Sequence, residues 1–120
     1  MLLLVDDDCE LRETLREFLA LQGYIVQGAS NGSEALRLCR GWDTPPELIL
    51  LDLVMPVLDG WGFLCERGKD PRLASIPVVM ISGSSGIERK AKEAGATAVI
   101  SKPVEPHALL ETIGRFATAN

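Results

Sequence analysis

Short apolar runs alternate along this chain with stretches in which apolar residues recur at helical spacing. The first run, Leu2–Val5, is continuous and ends on Asp6. A continuous run predicts a strand buried on both faces rather than one with a wet side. Leu11, Leu15, Phe18 and Leu19 then mark one face of a helix. Asp8 is placed to cap that helix and Gly23 to end it. Tyr24–Ala29 reads as a second strand, and Ser33–Arg40, with Ala35, Leu36, Leu38 and Cys39, as a short helix. Pro45-Pro46 breaks the chain. Glu47–Asp52 contains Leu-Ile-Leu-Leu and predicts a third buried strand. Trp61–Lys69 is weakly helical, because Gly62 and Gly68 each cost about 1 kcal/mol relative to alanine. Pro77–Ser82 is a fourth strand, Ile87–Ala94 a short helix stopped by Gly95, and Ala98–Ser101 a fifth strand. Pro106 suits the first turn of a last helix, whose stripe is Leu109, Leu110, Ile113 and Phe116.

Strand and helix therefore alternate through the whole chain, with no repeat, long linker or low-complexity segment. That order predicts an α/β fold with a parallel sheet covered on both faces. In such sheets, polar groups at the carboxyl ends of the strands share a crevice.

The length of 120 residues fits a single domain. Twelve Lys and Arg against seventeen Asp and Glu give a net charge of −5. That balance argues against a nucleic-acid binder and against an anionic membrane surface. The opening apolar run is too short for a signal peptide, and no run approaches a membrane span. A soluble, cytoplasmic protein is expected. Cys9, Cys39 and Cys65 are too few and too widely spaced for a disulfide framework or a zinc motif, and read as small buried hydrophobes.

Polar residues at the strand ends carry the chemistry. The first strand runs into Asp6-Asp7-Asp8, the third ends in Asp52, the fourth in Ser82, and the fifth in Ser101-Lys102-Pro103. Carboxylates packed together repel until a cation or a proton relieves them. All-oxygen ligands favour Mg²⁺, which pairs readily with a phosphate. Asp52 is a carboxylate able to attack a phosphoryl group. Lys102 and the hydroxyl of Ser82 are suited to hold phosphoryl oxygens. Asp8 is accounted for as a helix cap.

These segments resemble the receiver domain of bacterial two-component response regulators. The resemblance rests on Leu4-Val5-Asp6-Asp7-Asp8, Leu51-Asp52-Leu53-Val54-Met55-Pro56-Val57-Leu58-Asp59-Gly60, Pro77-Val78-Val79-Met80-Ile81-Ser82-Gly83, Ala94-Gly95-Ala96 and Ser101-Lys102-Pro103. Each motif is weak alone; all five in order are specific. The resemblance implies a doubly wound, flavodoxin-like sheet of order 2-1-3-4-5 and a cis Lys102–Pro103 peptide. It implies Asp52 as phosphoacceptor, Asp6, Asp7, Asp52 and the carbonyl of Val54 as Mg²⁺ ligands, and Ser82 and Lys102 as phosphoryl partners. The implied partners are a histidine kinase or histidine phosphotransfer protein and a downstream protein target. Monomer or weak dimer is expected.

Three departures bear on output. Val99 stands where the family usually carries Tyr or Phe, three residues before the lysine. The segment from Ser82 to Gly95 is short, so its helix should be short or irregular, with Gly83-Ser84-Ser85-Gly86 as a flexible start. The 120 residues hold no output domain, and Met1 favours a stand-alone receiver over a piece of a longer protein as the expectation. An alternative is a receiver-fold interaction module that works without phosphorylation. A phosphatase with an aspartyl nucleophile is disfavoured, because Val54 occupies the place of its second acid. Any enzymatic activity is expected to be confined to self-phosphorylation and self-dephosphorylation. His107, the only histidine, reads as a solvated residue on the last helix, away from the acids, so the phosphodonor histidine must come from a partner. Trp42 and Trp61 read as local packing.

Overall fold

The structure, a computed structural model, describes residues 1–118. Ten elements alternate: β1 (Leu2–Val5), α1 (Cys9–Leu21), β2 (Val26–Ala29), α2 (Gly32–Gly41), β3 (Leu48–Asp52), α3 (Gly60–Gly68), β4 (Val78–Ser82), α4 (Glu88–Glu93), β5 (Ala98–Ser101) and α5 (Pro106–Gly114). The strands form one parallel sheet in the order β2-β1-β3-β4-β5. Both the class and the strand order agree with the expectation from sequence.

Strand periodicity divides the core in two. Leu3, Val5, Ile49, Leu51, Val78 and Met80 face one way and pack with Ala35, Leu36, Phe63, Leu64 and Ala91 of α2, α3 and α4. Leu2, Leu4, Leu48, Leu50, Val79 and Ile81 face the other way and pack with Leu15, Leu19, Leu109 and Ile113 of α1 and α5. Every residue of β1, β3 and β4 is buried. Each fully buried aliphatic side chain contributes roughly 2 kcal/mol. The three central strands thus form a rigid platform whose ends carry the polar residues.

Local chemistry sets the boundaries. The Asp8 side chain accepts from the Leu11 N–H and starts α1. At its far end Gly23 takes φ 95°. There the Gly23 N–H donates to Ala20 and the Tyr24 N–H to Leu19, a glycine-terminated helix end. Tyr24 therefore spends its donor on the helix, and β2 begins at Val26 rather than at Tyr24. Asp59 caps α3 through the Gly62 N–H, so that helix starts at Gly60, one residue before the predicted bound. Glu105 caps α5 through the His107 and Ala108 N–H groups. Phe116 lies past the end of α5 but still packs against the second cluster.

One further expectation is corrected. Only Cys39 is buried, and burial pushes its thiol up to about 11. Cys9 and Cys65 are exposed: Cys9 opens α1, and Cys65 lies on the side of α3 away from Phe63, Leu64 and Arg67. Trp42 and Trp61 pack half-buried against the first cluster, as expected, and the Lys90 ammonium lies 4.5 Å from the Trp61 ring centre. No helix among the described residues is long and apolar enough to cross a membrane.

Candidate functional site

The register of the sheet brings the acids together. Val5 pairs with Leu51, so Asp6 and Asp52 come next, side by side, at the carboxyl edge. Asp52 pairs with Ile81, which places Ser82 one residue further along the neighbouring strand. Ser82 pairs with Ser101, and Lys102 follows. Four residues distant in sequence, Asp6, Asp52, Ser82 and Lys102, thus come to one edge because four parallel strands end at one level.

The site is buried at its base. Asp6, Asp52 and Ser82 are 2%, 4% and 2% exposed. Asp7 and Asp8 are exposed at the mouth. Asp6, Asp7 and Asp52 each present a carboxylate oxygen within 4.8 Å of the others. The Lys102 ammonium lies 3.0 Å from Asp52 Oδ1. The Ser82 hydroxyl oxygen accepts from the Ser84 N–H at 2.9 Å, which leaves its own proton free to donate.

Electrostatics follow from this crowding. Burial, reinforced by the charges of Asp52 and Asp7, raises the Asp6 pKa above its ordinary value against the opposing Asp8 N–H bond. Burial alone would lower the Lys102 pKa. The hydrogen bond and charge of Asp52, with Asp6 and Asp7 behind it, outweigh that and raise it. Three carboxylates thus face one ammonium. An all-oxygen cluster with excess negative charge fits a hard divalent cation such as Mg²⁺.

The loop after β3 is tied down on both sides. The Gly60 N–H donates to the Leu53 carbonyl at 2.8 Å, and the Gly32 N–H to the Leu58 carbonyl at 3.1 Å. A Cβ on Gly60 would stand 2.9 Å from the Asp52 carbonyl oxygen, so only glycine lets α3 start this close to the site. Val54, two residues past Asp52, is 74% exposed. Between these ties Val57 takes φ 71°, and the Leu58 N–H donates to the Pro56 carbonyl at 2.8 Å. An i to i+2 bond around a left-handed residue is the rare, strained γ-turn. Nothing in the sequence signals it, since valine is poorly suited to that backbone.

Each predicted strand-end residue lies at this edge, and the Lys102–Pro103 peptide is cis. Val99 sits half-buried on β5 against the first cluster. The predicted irregular segment holds as well: α4 has six residues, its start carries no side-chain cap, and Gly86 takes φ 73°. His107 is exposed, as expected of a solvated residue, in the first turn of α5. The sequence also gave no reason to single out Arg12, whose Nη1 donates to the Asp6 carbonyl at 2.6 Å.

Comparison with known proteins gives a consistent picture. The profile of the response regulator receiver domain matches residues 2–114. The "Probable transcriptional regulator ycf29" of Pyropia yezoensis is 33% identical over 117 residues, covering 96% of this chain and 52% of that protein. The chain spans about half the length of such curated relatives. The chemotaxis protein CheY of Halobacterium salinarum is 34% identical over 117 residues, covering 98% of this chain and 96% of that one. Among solved structures, the chemotaxis protein CheY4 of Vibrio cholerae superposes with a TM-score of 0.87 at 30% identity, covering 97% of each chain.

Proposed function

This chain belongs to the response regulator receiver domain family, the phosphoacceptor switches of two-component signalling, and we propose on that premise that Asp52 is its phosphoacceptor. The observation that carries the reading is the convergence of Asp6, Asp7, Asp52 and Lys102 at one buried strand edge. Residues 1–120 are read as one receiver domain, and the switch as cytoplasmic.

In the proposed reaction a carboxylate oxygen of Asp52 attacks phosphorus on a phosphohistidine of a partner kinase or phosphotransfer protein. The P–N bond breaks, and its electron pair and a proton end on the departing imidazole. An aspartyl phosphate remains. Asp6, Asp7, Asp52 and the Val54 carbonyl are the proposed holders of Mg²⁺, which when bound neutralises charge on the transferring oxygens. Lys102, already at Asp52 Oδ1, is positioned to follow the new charge onto a phosphoryl oxygen. Ser82 supplies the second donor through its free hydroxyl proton. New charge and new hydrogen bonds at Ser82 and Lys102 then bias the neighbouring loops toward a second arrangement that a downstream protein reads. Turnover is limited to the chain's own phosphorylation and dephosphorylation.

The test is intact-mass spectrometry after incubation with acetyl phosphate and Mg²⁺, beside Asp52→Asn. One added phosphoryl group in the wild type alone supports the assignment. An adduct of equal size on Asp52→Asn moves the acceptor elsewhere.

A further inference from the structure

Arg12 is an odd residue to find where it is. It is half-buried on the second turn's face of α1, and it makes no ion pair among the described residues. The one side-chain hydrogen bond it makes among the described residues runs to a main-chain carbonyl, that of Asp6, at 2.6 Å. Room for the side chain comes from β2. Gly28 pairs with Leu4, and a Cβ there would stand 3.1 Å from Arg12 Cδ and 3.3 Å from its Nε. Val26, two residues earlier and on the same face, packs against the cluster beneath α1. A side chain at Gly28 would continue that packing and push Arg12 out. Glycine weakens a strand interior, so its place here fits a close approach by another group.

The bond falls where the chain turns from β1 toward α1. The Asp6 N–H is held by the Ala29 carbonyl at 3.1 Å, and Asp6 Oδ1 accepts from the Asp8 N–H at 2.9 Å. Asp7 itself makes no hydrogen bond among the described residues. The peptide plane joining Asp6 to Asp7 is therefore fixed on its carbonyl side by Arg12 alone. Rotating that plane would swing the Asp7 carboxylate away from those of Asp6 and Asp52.

We infer that Arg12, seated in the gap left by Gly28, is a positioning residue that holds the Asp6–Asp7 peptide and so assembles the cation site. The inference rests on the reading of Asp6, Asp7 and Asp52 as the metal-holding group. Partners that orient metal ligands without touching the metal commonly change affinity by 10- to 100-fold. Arg12→Met keeps the apolar stem over β2 and removes the donor, so it should weaken cation binding at least tenfold while leaving the fold intact. Arg12→Lys restores a single donor, which is all this contact uses, and should recover most of the affinity. Gly28→Ala should weaken binding in the wild type but add nothing in the Arg12→Met background, because its effect passes through Arg12.

The experiment measures free Mn²⁺ by electron paramagnetic resonance during titration of each full-length variant, with thermal melts in EDTA alongside. Weakened binding by Arg12→Met, recovery by Arg12→Lys and non-additivity with Gly28→Ala together support the inference. Arg12→Met that binds within twofold of wild type overturns it. So does a variant that melts lower yet binds equally, because that is a purely structural role. Full additivity with Gly28→Ala overturns the Gly28 part of the argument. Wild-type protein that takes up no Mn²⁺ overturns the metal-site reading itself, and this inference with it.

Discussion

Replacing Asp6 with asparagine removes one charge from the acid triad while preserving its shape. The carboxylate oxygens of Asp6, Asp7 and Asp52 lie within 4.8 Å of one another. At an effective dielectric constant of about 20, two unit charges that far apart repel by roughly 3 kcal/mol. Asp6 faces two such neighbours. Lys102 offsets part of this, since its charge also attracts Asp6, and Asp7 is exposed enough to be screened. Burial of Asp6, the main cause of its raised pKa, acts against the charged form as well. Asparagine still offers an oxygen to the Asp8 N–H, so that bond survives. The metal-free variant should gain about 1–2 kcal/mol, or roughly 4–8 °C in Tm for a domain of this size. The sign with pH follows. An acid whose folded-state pKa is raised costs stability above that pKa and costs nothing below its unfolded value. The gain should therefore be full above the raised pKa and vanish as pH falls through it to below the ordinary 3.8. Circular-dichroism melts in EDTA across that range make the comparison. Mg²⁺ should raise the Tm of the wild type by mass action and do so far less for Asp6→Asn. A variant that melts below wild type at pH 7 refutes the reasoning, because repulsion and burial would then not dominate at Asp6.

Three further outcomes are expected. Arg67, 5% exposed, donates from one Nη to the Ala74 and Ile76 carbonyls at 2.9 and 2.6 Å, while its buried Nε has no partner among the described residues. Arg67→Ala should cost about 3–5 kcal/mol in urea unfolding, since two charge-assisted bonds go and two carbonyls lose their donor; a cost under about 1 kcal/mol would contradict that. Val57→Gly should raise Tm by about 4 °C, because it relieves a strained backbone costing about 1–3 kcal/mol and gives up a side chain that is 82% exposed; a lower Tm would mean the turn carries no strain. Val54→Asn should speed loss of the aspartyl phosphate severalfold, since valine offers nothing to orient an attacking water; an unchanged decay of the mass adduct would rule this out.

Legibility of the fold and of the site had the same source. Leu2–Val5, Leu48–Asp52 and Pro77–Ser82 are apolar without alternation, and a run of that kind is stable only inside a sheet covered on both faces. Once such strands lie parallel, the residue after each run is placed by the chain itself. Asp6, Asp52, Ser82 and Lys102 could therefore be assigned to one edge before any distance was known. Element ends were less legible where two uses competed for one group, as at Tyr24, whose N–H serves the end of α1 rather than β2.

The residues that sequence alone could not single out share a physical character. Arg12, Arg67 and Val57 matter through main-chain groups: the Asp6 carbonyl, the Ala74 and Ile76 carbonyls, and a turn about φ 71°. A carbonyl oxygen is present at every residue, so no residue type announces which one will be contacted. Glycine is the partial exception, since it records a close approach even though it cannot name what approaches. Gly60 records the α3 start against Asp52, and Gly28 the stem of Arg12. Paired with the register of β1 and β2, the glycine at 28 marks where the Arg12 stem passes on its way to the Asp6 carbonyl. The candidate site groups are thus written as side chains at strand ends, while the backbone contacts around them arise only in the assembled sheet.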